Sequence, residues 1–139
     1  MTYYLDSNIY IYFEKKMYES IAEKLMSTSV EKIKIPAMVA AELLYGAEKS
    51  AKREFNLSRL RRFLSLFEII PFDEKAAECY RSVRVELERK GQIIGGNDLV
   101  IAATVLSRAG VLVTRNINEF SRVEGLALED WTVCHAYHD

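Results

Sequence analysis

Four acidic residues stand where an α/β chain has little structural use for them. Asp6 ends the apolar start of YYLDSNI. Glu42 is the only charge between Ile35 and Ala47. Asp98 begins the most apolar helical stretch, GGNDLVIAATVL, and Glu119 follows the apolar run VLVT. Each has an ordinary explanation. Asp6 suits a helix N-cap, and Asn97 or Asp98 suits the start of the next helix, where the dipole favours negative charge. Glu119 reads as a loop acid and Glu42 as the exposed edge of a helix. Together these explanations weaken. Carboxylates converging on one crevice repel one another, and burying an unpaired one costs several kcal/mol in order of magnitude. The usual resolution is a hard divalent cation, Mg2+ or Mn2+, held by oxygen ligands. Such an ion polarises a phosphoryl oxygen and activates water, so the implied chemistry is phosphodiester hydrolysis. No Ser/His or Cys/His pair competes, because the only histidines, His135 and His138, fall in the last five residues and read as a tail.

Convergence requires a scaffold. Apolar periodicity predicts a strand over Tyr3–Leu5, a helix over residues 7–16 and another over 17–26, a strand over 32–36, then helices over 37–49 and 51–67. EIIPF reads as a third strand. A long amphipathic helix follows over 73–91, ended by Gly91. GGNDLVIAATVLSRAG is a helix apolar nearly all round. VLVT is a fourth strand, NINEF a loop or short helix, and WTVCH a fifth strand. Strands alternate with helices, and two strands are apolar without alternation. That pattern belongs to an α/β fold with a mostly parallel sheet of four to five short strands, covered by helices on both faces. Functional crevices in such sheets lie beyond the carboxyl ends of the strands, where these acids fall.

Composition bounds the rest. A chain of 139 residues, 50% hydrophobic and 28% charged with 2 Pro and 6 Gly, reads as one soluble domain over 1–139. No apolar run reaches the roughly 18 residues needed to span a bilayer, and no leader pattern is expected at the N-terminus. Cys79 and Cys134 read as two reduced thiols in a cytoplasmic protein. A net charge of -1 argues against a bulk nucleic-acid binder but leaves room for a local basic patch. Between Ala51 and Phe67 stand Lys52, Arg53, Arg59, Arg61 and Arg62 against Glu54 alone, and Arg115 follows the fourth strand. These residues are either a solvated face or a rim that guides an RNA backbone toward the acids.

Four motifs, in order and suitably separated, resemble those of the PIN-domain ribonucleases, specifically the VapC-type toxins of prokaryotic toxin–antitoxin pairs. They are YYLDSNI, AELLYGAEKS, GGNDLVIAA and LVTRNINEFSRVEGLALEDW. The resemblance implies a three-layer PIN-like fold and a catalytic set of Asp6, Glu42, Asp98 and Glu119. Of these, Asp6, Glu42 and Asp98 would ligate Mg2+ or Mn2+ directly or through water. Ser7 would orient the first carboxylate through its hydroxyl, with Asn8 and Thr114 in support. The chain departs from the family at Asn116, where many PIN domains carry an acid, and Glu119 or Asn116 is left as the fourth site residue. The resemblance is nearest to the enteric-type branch, whose members cut initiator transfer RNA. It implies a transfer-RNA substrate, a VapB-like antitoxin and a homodimer. The apolar residues of AMVAAELLYGA and LSRLRRFLSLF, more than one sheet face would cover, also favour a dimer. Two rival readings are a phosphoacceptor domain using Asp73 and a non-catalytic RNA- or protein-binding module.

Overall fold

A computed structural model describes residues 1–133, which form five strands and seven α-helices. Two α-helices precede each of the second, third and fourth strands, and one precedes the fifth. The N-terminal half runs β1 (Tyr3–Leu5), α1 (Ser7–Glu14), α2 (Glu19–Ser27), β2 (Ile33–Pro36), α3 (Ala37–Lys49) and α4 (Arg53–Leu64). It continues through β3 (Glu68–Ile70), α5 (Glu74–Lys90), α6 (Gly96–Leu106), β4 (Val111–Val113), α7 (Ile117–Phe120) and β5 (Ala127–Glu129). The strands lie in the order β3-β2-β1-β4-β5, and every pairing is parallel. Parallel neighbours need crossover connections, which the helices supply. The chain steps outward from β1 to β3, then returns to set β4 on the other side of β1. With right-handed crossovers, α1–α4 cover one face and α5–α7 the other. The reversal puts a topological switch point at the carboxyl ends of β1 and β4, where an open α/β sheet leaves a crevice. This is the three-layer α/β architecture that the alternation implied.

The core explains why β4 lacks alternation, whereas β3 at the sheet edge leaves Glu68 and Ile69 exposed. All three residues of β4 are buried, because both faces are covered. In α6, Leu99, Ile101, Ala102, Ala103 and Val105 are buried between α5 and the sheet. The buried Thr104 hydroxyl donates to the Val100 carbonyl at 2.8 Å, which removes its desolvation cost. Gly110 leads into β4. A Cβ there would stand 2.2 Å from Cε1 of Tyr4, so only glycine lets the connection cross that ring.

The element ends differ from expectation in several places. α1 stops at Glu14, because Lys16 takes a φ of 54° and turns the chain. α2 begins at Glu19, and α4 is shorter at both ends than the run 51–67. The fifth strand is Ala127–Glu129, and Trp131 to Val133 at the start of the expected WTVCH are turn and bend. Trp131 is instead a core residue, 1% exposed, with its ring 5.5 Å from that of Tyr3 and its Nε1 donating to Glu129 Oε1 at 2.8 Å. Asp130 accepts from the Thr132 N–H at 2.9 Å and turns the chain there. Cys134, His135 and His138 lie outside the described residues. Cys79 is a free, half-buried thiol. No helix among the described residues is long and apolar enough to cross a membrane.

Candidate active site

Asp6 answers both explanations offered for it. It is the first residue past β1, and its N–H still bonds to the Val113 carbonyl of β4 at 2.9 Å. Oδ1 accepts from the Ser7 N–H at 2.8 Å and so caps α1. Oδ2 accepts from the Thr114 hydroxyl at 2.7 Å. The orienting hydroxyl expected from Ser7 therefore comes from Thr114, and Ser7 contributes its backbone N–H. Thr114 is itself fixed: its N–H bonds to the Glu129 carbonyl at 3.0 Å, and its Oγ1 accepts from the Asn116 N–H at 3.0 Å.

The other acids arrive from three different elements. Glu42 sits on α3 at the margin of the buried stripe formed by Val39, Ala40 and Leu43. Asp98 is in the first turn of α6, and Glu119 in the short α7. Glu119 Oε1 accepts from the Gly95 N–H at 3.3 Å, and the Asn116 side chain also hydrogen-bonds to Glu119. Glu119 stands beside Asp98, with which it hydrogen-bonds, and Asn116 beside Thr114, to whose Oγ1 its N–H donates. Glu42 Oε2 accepts from Asn97 Nδ2 at 3.2 Å, whereas Glu42 Oε1 is buried without a partner. Asn8 Oδ1 is buried and unpartnered as well.

Asp6 and Asp98 feel the charges of the neighbouring acids. Burial pushes the Asp6 carboxyl up, against the pull of the Thr114 hydroxyl and the Ser7 N–H, and Glu42 and Glu119 push it further. Asp98 is pushed up to about 8, first by burial, then by its hydrogen bond with Glu119 and by the charges of Glu119, Asp6 and Glu42. Glu119 moves the opposite way, because Asp98 donates to it and the Gly95 N–H, Asn116 and Arg122 add to the effect. The opposed shifts describe one pair, Asp98 and Glu119, that shares a proton. Among the described residues, no three of these side chains close tightly enough to enclose an ion by themselves.

A groove of about 580 Å³ lies along α1, α3 and α4, and of the four acids only Glu42 lines it. Ser7 and Glu42 form its inner end. Tyr10, Leu43 and Leu60 line its apolar floor, and Lys15 and Arg59 stand along it. Of the five basic residues anticipated on the α4 segment, only Arg59 reaches this groove, and it is ion-paired with Glu14. Lys52 and Arg53 line a separate depression, where Arg53 pairs with Glu48 at 3.3 Å. Arg61 and Arg62 are exposed and line neither. Arg115 is exposed and held over the Tyr18 ring, donating to the Tyr18 hydroxyl at 2.7 Å and to Thr132 at 3.2 Å.

The PIN-domain family model matches residues 3–126. The chain belongs to the PIN-domain family. Ribonuclease VapC2 of Rickettsia felis is 46% identical over 132 residues, which is 94% of this chain and 98% of that one. The tRNA(fMet)-specific endonuclease VapC of Salmonella typhimurium is 37% identical over 131 residues, with the same two coverages of 94% and 98%. Among solved structures, VapBC2 from Rickettsia felis bound to a DNA fragment from their promoter superposes with a TM-score of 0.86. It shows 44% identity and covers 94% of this chain and 99% of that chain. This PIN domain is therefore of the VapC ribonuclease type, and the phosphoacceptor reading gives way. Asp73, its proposed acceptor, is a structural cap: it accepts from the Ala76 N–H at 3.0 Å and pairs with Arg108 at 3.0 Å.

Sequence reasoning misses three contributors to the PIN site: the Gly95 N–H, the Arg122 charge beside Glu119, and the bond from Asn97 to Glu42. In the sequence Asn97 reads only as a helix cap. The cap position is in fact Gly95, and no side chain caps α6.

Proposed function

We propose that the protein is a divalent-metal-dependent endoribonuclease, the toxin of a toxin–antitoxin pair, acting in the cytoplasm as one PIN domain over 1–139. The observation that carries this reading is the convergence of Asp6, Glu42, Asp98 and Glu119 from four elements on the switch-point crevice, with Glu42 Oε1 buried and unpaired. An acceptor-only oxygen in that position has no use except toward a cation or a donor. Asp6, Glu42 and Asp98 would hold Mg2+ or Mn2+. An incomplete protein cage suits Mg2+, which usually keeps several waters beside one or two carboxylates. When bound, the ion supplies polarisation of the phosphodiester and activation of water.

The chain's own residues do the positioning. The Thr114 hydroxyl and the Ser7 N–H fix both oxygens of Asp6. The Gly95 N–H and Asn116 fix Glu119 beside Asp98, where it holds the partner of the shared proton and orients water. Asn8 supports the loop after β1. Lys15 and Arg59 in the groove, with Arg115 on the opposite side and Lys52, Arg53, Arg61 and Arg62 further out, contact RNA phosphates. A single-stranded loop can splay a phosphate into such a crevice, whereas a duplex enters poorly. The substrate is a transfer RNA, as the name of the Salmonella relative suggests, cut in the anticodon region, whose single-stranded loop such a crevice would admit. A VapB-like antitoxin is the partner, as the Rickettsia complex suggests. Exposed Tyr45 and Phe55, 64% and 58% accessible on α3 and α4, support a homodimer.

The test is cleavage of a transfer-RNA pool by purified protein, read as RNA 5′ ends. One dominant break in one transfer RNA, dependent on Mg2+ or Mn2+ and abolished by chelation, is expected. Uncut RNA with metal present would leave the non-catalytic binding module standing instead.

A further inference from the structure

We infer that Asn97 is a positioning residue that presents Glu42 to the ion; the inference rests on the metal reading above. The two oxygens of Glu42 are treated differently. Oε2 accepts from Asn97 Nδ2 at 3.2 Å, and Oε1 is buried without a hydrogen-bond partner. Because a carboxylate only accepts, the amide must turn its NH2 toward Glu42, which fixes the Asn97 side chain as well. Among the described residues, Asn97 is the one side chain that donates to Glu42.

The bond matters because Glu42 has somewhere else to go. It stands at the inner end of the roughly 580 Å³ groove, so its flexible side chain has open space into which to swing. Asn97 works against that freedom from a rigid base. The first turn of α6 carries Asn97 and Asp98 side by side, and the body of that helix is locked in the core by Leu99, Ile101 and Ala102. One turn therefore supplies one carboxylate and sets the reach of a second, from an element 55 residues away in sequence. Asn97 is exposed and caps nothing, so no structural role competes with this one. Residues that orient metal ligands in this way typically change affinity or activity by about 10–100-fold when removed.

The test is a double-mutant cycle read as Mn2+ affinity, by electron paramagnetic resonance titration of the full chain. Four proteins are compared: wild type, Asn97→Ala, Glu42→Gln and the double variant. Asn97→Ala should weaken Mn2+ binding about 10–100-fold without lowering the melting temperature of the metal-free protein. In the Glu42→Gln background the same change should cost nothing further, because its effect passes through Glu42. Wild-type affinity in Asn97→Ala overturns the assignment, and so does an equal loss in both backgrounds. A wild type that binds no Mn2+ overturns the metal reading itself and the Asn97 assignment with it.

Discussion

Helix α6 contains two regions built to opposite rules. From Leu99 to Val105 nearly every side chain is buried and apolar, and the one hydroxyl, on Thr104, is satisfied within the helix. One turn earlier, Asn97 and Asp98 face a crevice with Glu42 and Glu119, where like charges crowd and one carboxylate oxygen has no partner. The buried turns stabilise the fold. The first turn opposes it, and the fold tolerates that because the later turns hold the helix in place. Local violations of good packing chemistry mark function when the rest of the same element obeys it.

Substitutions at the two ends of this helix should therefore do opposite things. If Asp98 holds the ion as proposed, Asp98→Asn should cost several orders of magnitude in RNA cleavage. It should not lower the melting temperature of the metal-free protein, because the amide keeps the shape and can still donate to Glu119. Cleavage kinetics paired with thermal melts check this. Ile101→Ala should give the reverse pattern. A fully buried Ile truncated to Ala loses about 2–5 kcal/mol of stability in urea unfolding, while activity per folded molecule is retained. Equal behaviour of the two variants would erase the contrast.

A smaller effect concerns pH. The Asp98 carboxyl is raised to about 8 in the folded protein, by burial first, and Asp6 is raised as well. A raised carboxyl pKa gives stability that is present below the ordinary value and lost as pH climbs through the folded one. Metal-free protein should therefore lose stability between about pH 4 and about pH 8. The depressed Glu119 acts in the other direction only at the acid end. Urea midpoints in chelator across that range should fall with pH, and Mg2+ should flatten the decline. A flat profile in chelator would mean that the acids do not crowd.

Much of the contrast is legible in the sequence. Asp6, Glu42 and Asp98 stand out because each interrupts an apolar pattern, and the alternation of strands and helices directs Asp6 and Asp98 to one end of a parallel sheet. Pairings across long separations are not legible. Nothing local shows that the hydroxyl on Asp6 comes from Thr114, 108 residues away, instead of from the adjacent Ser7. Asn97 looks like a cap because caps are local and its true partner is on α3. Arg59 looks free until α4 packs it beside Glu14 of α1. The fifth strand is misplaced because Ala-Leu-Glu has weak strand propensity, while the Trp-Thr-Val that follows has a strong one. Trp131 is buried for its ring and does not pair in the sheet.

A divalent cation held by Asp6, Glu42 and Asp98, as proposed, would relieve the crowding of these carboxylates with Glu119. Thermal melts with and without millimolar Mg2+ or Mn2+ test it most directly, since a ligand bound only by the folded state raises stability. The wild type should melt higher with the ion, and the Asp6→Asn, Asp98→Asn double variant should show no such rise. A wild type whose melting is indifferent to the ion, or a double variant that gains as much as the wild type, would contradict the account.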